Sequence, residues 1–215
     1  EKILGAGAAA APQVVVGLSR YSTTHTRFRS FATGLAKARY ASMPIFDPLM
    51  FPGPMAVDWS EVAARTGACA AVLNKAVRVV VRGANGTYLR MDLGDRICHP
   101  DDGQLHTPGK YGNLPAGETY ISPALYDAEG VMVFDGSLSV ADGAGAIVPS
   151  RPVTVEVKEG LVTRVRGGAG ARRLEHSFEL GEQAAFKMEG RPGWSAKRVA
   201  SYAKNARHLG ELGIG

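Results

Sequence analysis

At 215 residues, 45% of them hydrophobic, the chain can bury the core of one large domain or of one domain and part of another. Aromatics make up only 7% while glycines number 27 and prolines 12, a balance that argues for strands and tight turns and against a helix bundle. The net charge of +5 is scattered, with local sets such as Arg164, Arg166, Arg172 and Arg173 but no interleaved aromatics, so it reads as a solvated face and not as a nucleic-acid surface; no apolar run reaches the length of a membrane span.

In chain order, Gly5-Ala6-Gly7-Ala8-Ala9-Ala10 superficially matches a dinucleotide-binding glycine loop. Pro12 and three consecutive valines follow where such a loop must open a helix, which removes the match. The β-branched run Gln13–Gly17 predicts a buried strand, Ser22–Lys37 a helix carrying Phe28, Phe31 and Leu35, and Arg39–Met43 another extended segment closed by Pro44. Together they read as the last part of an α/β layer. The loop composition from Pro44 to Pro54 then marks a boundary, and Asp58 or Ser60 can cap a helix running to about Lys75.

Beyond it the period shortens. Ala76–Arg82 and Thr87–Leu93 alternate around Asn85-Gly86, which predicts a hairpin with a type I′ turn. Thr119–Tyr126 and Gly130–Ser137 read as a second strand pair, and Arg151–Lys158 and Leu161–Arg166 as a third across Glu159-Gly160. Two helices, Arg172–Met188 and Ala196–Leu209, close the chain, separated by Gly190, Pro192 and Gly193. The expected fold class is therefore an α/β fragment, residues 1–57, followed by an α+β domain, residues 58–215, with mainly antiparallel sheet and hairpins.

Cys69 and Cys98 are too few and too far apart for a disulfide framework or a thiolate metal knuckle, and Glu1-Lys2-Ile3-Leu4 shows no basic n-region or cleavage pattern, so a cytoplasmic setting is expected. No serine has a nucleophile-elbow setting, and Cys98 beside His99 has no claim to a nucleophile-base geometry, since neighbours in a strand face opposite sides. Ser22-Thr23-Thr24-His25-Thr26-Arg27 sets hydroxyls, an imidazole and a guanidinium at a strand-to-helix junction. Helix capping explains the hydroxyls; His25 and Arg27 are harder to dismiss. In Gly112-Asn113-Leu114-Pro115-Ala116-Gly117-Glu118-Thr119-Tyr120-Ile121-Ser122-Pro123, two prolines and two glycines shape an unusual loop that delivers one carboxylate, Glu118, at a strand mouth. A turn residue facing solvent is the default for such an acid, but a rigid loop is also how metal sites obtain oxygen ligands.

That loop resembles the signature of the thermophilic aminopeptidase (aminopeptidase T-like) family. Three further blocks agree in order: Ser22–Arg27 with Met43-Pro44, Gly86-Thr87-Tyr88-Leu89 with Asp95-Arg96, and Glu211-Leu212-Gly213-Ile214-Gly215. The resemblance implies a metallopeptidase acting on the free N-terminus of a peptide, with Glu118 and Glu211 as metal-ligating carboxylates and His25 and Arg27 as substrate contacts. It implies two divalent ions, with zinc first and cobalt, manganese or magnesium as alternatives, sharing a water that they acidify to hydroxide. It also implies a homodimer, a longer N-terminal α/β domain, and histidine, tyrosine and aspartate ligands beyond the Glu211–Gly215 block, so the chain is expected to lack parts at both ends. The runner-up is an iron-dependent 2,5-dihydroxypyridine-type ring-cleaving dioxygenase, a group similar to this peptidase family in fold and several motifs, with one ferrous ion in place of the pair. A catalytically silent homologue is the third reading.

Overall fold

The computed structural model describes residues 12–143 and 145–215; the glycine-rich stretch 5–10 lies outside them. Mixed α and β structure with mainly antiparallel sheet is what the alternating segments predict, and it is what forms. The described residues divide into two compact units: residues 12–75, 98–121 and 213–215 make one, and residues 76–97 and 122–212 the other. Among the described residues no helix is long and apolar enough to cross a membrane.

In the first unit, β1 (Val14–Ser19) and β2 (Arg39–Pro44) pair in parallel, and β6 (Tyr111–Asn113) adds in parallel to β2. The connecting helix α1 (Arg27–Gly34) packs Ala32 against Ala38, Tyr40 and Val15. It starts five residues later than Ser22, the expected first residue, because Thr26 is its N-cap, accepting from Arg29 N–H, while the hydroxyls before it turn toward other strands. The Pro-rich stretch after β2 contains a single 3₁₀ turn, Pro48–Met50, capped by Asp47. Asp58 caps α2 (Trp59–Leu73) by accepting from Ser60 N–H at 2.8 Å and more weakly from Glu61 N–H. A small sheet in the order β13 (Leu212–Ile214), β7 (Glu118–Ile121), β5 (His99–Asp101) packs on α2, where the buried Thr119 donates to the Thr66 carbonyl at 3.1 Å.

In the second unit a five-stranded antiparallel sheet runs β12 (Leu161–Arg166), β11 (Val153–Lys158), β8 (Ala128–Phe134), β4 (Tyr88–Asp92), β3 (Arg78–Arg82). Leu89, Met91, Val153 and Val155 are almost fully buried in it, each worth roughly 1.5–3 kcal/mol of transfer free energy. The hairpin β3–β4 forms as expected, but its turn differs. Gly86 alone takes positive φ, Gly86 N–H bonds back to Gly83, and Gly83 N–H bonds to Thr87, which makes a three-residue loop with a glycine bulge. The Asn85 side chain is the reason: it accepts from Thr87 N–H and donates to the Val133 carbonyl at 2.9 Å, so its backbone stays out of the left-handed region. The two-residue turn with positive φ at both positions belongs instead to Glu159-Gly160, between β11 and β12.

The second expected strand pair does not form. β7 joins β5 in the first unit, whereas β8 lies between β4 and β11. Pro123 and the left-handed Tyr126 end the extended run, and Ala124 N–H is taken by the Asp92 carbonyl. A two-stranded piece, β9 (Leu138–Val140) with β10 (Gly145–Ile147), completes the sheets. Helix α3 (Gly168–Phe186) contacts β9, β11 and β12 and packs on α4 (Ala196–Asn205). Arg207 follows α4 and bonds Glu175 at 2.7 Å and Glu182 at 2.6 Å, tying the two helices by charge.

Candidate functional site

The polar residues of the first unit concentrate where β1, β2 and β6 end. Carboxyl ends of parallel strands leave a crevice edged by loops, and here that edge is built from hydroxyls and an amide. Ser42, fully buried on β2, accepts from Thr23 N–H at 3.1 Å and from the Thr23 hydroxyl at 3.2 Å. Thr24 is buried and donates to Asn113 Oδ1 at 2.8 Å, while Ser22 donates to Thr24 at 3.2 Å. Arg29, one turn into α1, donates from Nε to the Thr24 carbonyl at 2.6 Å and lays its guanidinium 3.9 Å from the centre of the Tyr111 ring. Fixed backbone, stacked cation and buried hydroxyl thus hold one short turn from three sides.

From Asn113 the network continues to β5, its Nδ2 donating to Asp101 Oδ2 at 3.5 Å. Asp101 stands opposite Glu118 in the β5–β7 pairing. Gly112 makes room for it, since a Cβ there would sit 2.9 Å from Asp101 Oδ1. Burial pushes the Asp101 carboxyl above its ordinary range; the Asn113 hydrogen bonds pull it down, and repulsion from Glu118 and Asp102 adds to the rise. The Glu118 side chain is exposed at the start of β7, and its carboxylate lies over Gly213, where a Cβ would collide with Oε1.

Of the residues singled out by sequence, Glu118 therefore sits beside a half-buried acid in the first unit. Glu211, exposed, immediately precedes β13 and belongs to the second unit. His25 and Arg27 are exposed on the turn that Thr23 and Thr24 anchor, and their side chains make no hydrogen bond or ion pair among the described residues. Sequence reasoning missed Asp101, Asn113 and Arg29. Only Asn113 carried a signal, as part of the unusual loop; Asp101 lies in a three-residue strand with no periodicity. Cys98 is buried and donates to the Tyr120 carbonyl, and burial pushes its thiol up, away from the thiolate a nucleophile needs.

Among the described residues no group of three or more histidine, cysteine, aspartate and glutamate side chains is placed to hold a metal ion. The donors present among the described residues, one exposed glutamate beside one half-buried, hydrogen-bonded aspartate, do not make up an iron centre or a two-metal centre.

The model of the NicX family, 2,5-dihydroxypyridine 5,6-dioxygenase, matches residues 55–210. Two solved structures share the fold. A 2,5-dihydroxypyridine dioxygenase from Pseudomonas putida KT2440 is 19% identical with a TM-score of 0.65, over 95% of this chain and 59% of that enzyme. Wild-type AmpT from Thermus thermophilus is 16% identical with a TM-score of 0.54, over 99% of this chain and 58% of that one. The chain thus spans under two thirds of the length of either. No curated protein matches it by sequence. The family match overturns the aminopeptidase expectation, and with it the hydrolase chemistry, and it lends no support to a pair of zinc ions. The misreading has a simple origin: the chain's fold is common to the dioxygenase and to AmpT, so a likeness in fold does not separate the two chemistries. With the model matched across residues 55–210, the chain belongs to the NicX family of 2,5-dihydroxypyridine 5,6-dioxygenases.

Proposed function

We propose that the protein carrying this chain is a ring-cleaving dioxygenase acting on 2,5-dihydroxypyridine or a close relative. The observation that carries this reading is the family match over residues 55–210. Such a reaction breaks the bond between ring carbons 5 and 6 and places one atom of dioxygen on each. The hydroxyl-bearing carbon becomes a carboxyl group and its neighbour a formyl group on nitrogen. Iron is the metal this chemistry calls for, but the described residues do not assemble a ligand group for it.

What the chain's own residues offer is a place for the substrate. His25 and Arg27 project from an anchored turn at the carboxyl edge of the parallel sheet; an imidazole can hydrogen-bond a ring hydroxyl, and a guanidinium can hold its deprotonated form. The test is oxygen uptake by the full-length protein loaded anaerobically with ferrous ion and given 2,5-dihydroxypyridine. One dioxygen consumed per ring opened is the expected result. Iron-loaded protein that leaves the ring intact would overturn the proposal and leave a silent homologue.

A further inference from the structure

The side-chain hydrogen bonds that lead from Ser22 to Asp101 run one way. Ser22 donates to Thr24, Thr24 to Asn113 Oδ1, and Asn113 Nδ2 to Asp101, where the run ends on a group that accepts when ionised. Direction matters because an amide has two unlike ends. Flipping Asn113 would set its oxygen against the Asp101 carboxylate and its NH₂ against Thr24, so the carboxylate selects the orientation that leaves Oδ1 for Thr24. Asp101 is itself fixed: its carbonyl accepts from Gly117 N–H at 2.9 Å, and Gly112 leaves the space its carboxylate fills. His25 lies between Thr24, held by Asn113, and Thr26, held by the first turn of α1. Its backbone is bracketed while its ring stays exposed.

We infer that Asn113 is a positioning residue: anchored on Asp101, it fixes the Ser22–Arg27 turn and so sets where His25 and Arg27 meet a substrate. The part concerning substrate rests on the dioxygenase reading; the part concerning the turn does not. Asn113→Leu removes both ends of the amide, and Thr24→Val removes only the hydroxyl, so the second variant keeps the question open to measurement if the first fails to fold. In the full-length iron-loaded enzyme, both variants are expected to raise KM for 2,5-dihydroxypyridine about tenfold, the size of one lost hydrogen bond, with kcat changed less. Independently of turnover, nitrogen resonances of the His25 imidazole are expected to shift in Asn113→Leu and in Thr24→Val. His25 signals unchanged in both, or kcat falling as far as KM rises, would overturn the inference. Wild-type protein inactive on 2,5-dihydroxypyridine would sink the substrate reading alone, because the His25 shifts still decide whether Asn113 holds the turn.

Discussion

Gly213 offers a measurement of how tightly Glu118 is placed. Its backbone is in an extended strand, not the left-handed region, so alanine is compatible with its φ, and replacing a strand glycine should gain about 0.5–1 kcal/mol from the unfolded chain. Against this stands the collision of the new methyl with Glu118 Oε1, the far end of a flexible side chain. Moving that carboxylate off its rotamer costs about 0.5–1.5 kcal/mol. The two contributions nearly cancel, so Gly213→Ala should change stability by less than about 1 kcal/mol in the wild-type background. In a Glu118→Ala background the collision is gone and the same substitution should be stabilising. Urea midpoints of the four proteins give the coupling directly, about 0.5–1.5 kcal/mol. Equal effects of Gly213→Ala in both backgrounds would refute the close approach of Glu118 to this strand, and a loss well above 2 kcal/mol would show that the methyl meets backbone instead.

Two further outcomes follow from the packing. Burial raises the folded-state pKa of Asp101, so the folded chain binds its proton more tightly than the unfolded chain does. Stability from this group is therefore greatest below the unfolded value and falls as pH rises through the interval up to the folded one. Asp101→Asn should flatten that fall, gaining on wild type at neutral pH and not at strongly acid pH; melting temperatures across the acid range check it, and a gain confined to acid pH would contradict the sign. Gly130 takes positive φ on β8, and a Cβ there would strike the Tyr88 carbonyl and Leu89 Cα, which cannot step aside. Gly130→Ala should cost about 3 kcal/mol or more, against about 1 kcal/mol for Gly86→Ala, whose nearest neighbour is a Val133 methyl at 3.9 Å. Equal losses in calorimetry would remove backbone collision as the cause.

What the sequence disclosed was local. Alternation in Ala76–Leu93 and Arg151–Arg166 named two hairpins because every contact involved lies a few residues away. Turn type was less legible: Asn85-Gly86 looked like the tight turn, yet the Asn85 amide found a partner on β8, a contact no neighbouring residue announces. The three-residue strands β5, β6, β9, β10 and β13 are too short for a period. At the candidate site Glu118 stood out because a shaped loop delivers it, whereas Asp101 and Arg29 derive their roles from residues distant in sequence or from stacking on Tyr111. The chemistry was least legible, since the loop motif speaks for a fold that serves two reactions.

The first unit is assembled from three separate stretches of chain, and the last of them is only residues 213–215. Strand β7 ends at Ile121, and its neighbour β13 begins at Leu212. All of the sheet in the second unit except β3 and β4 is synthesised between those two points. Closing so long a loop carries an entropy that grows only with the logarithm of its length, so the finished sheet is little weakened by the separation. The order of events is affected far more, because non-local pairings form late. On the ribosome β7 can meet β5 as soon as both emerge, but the edge that receives β13 stays bare until the whole intervening stretch has been made.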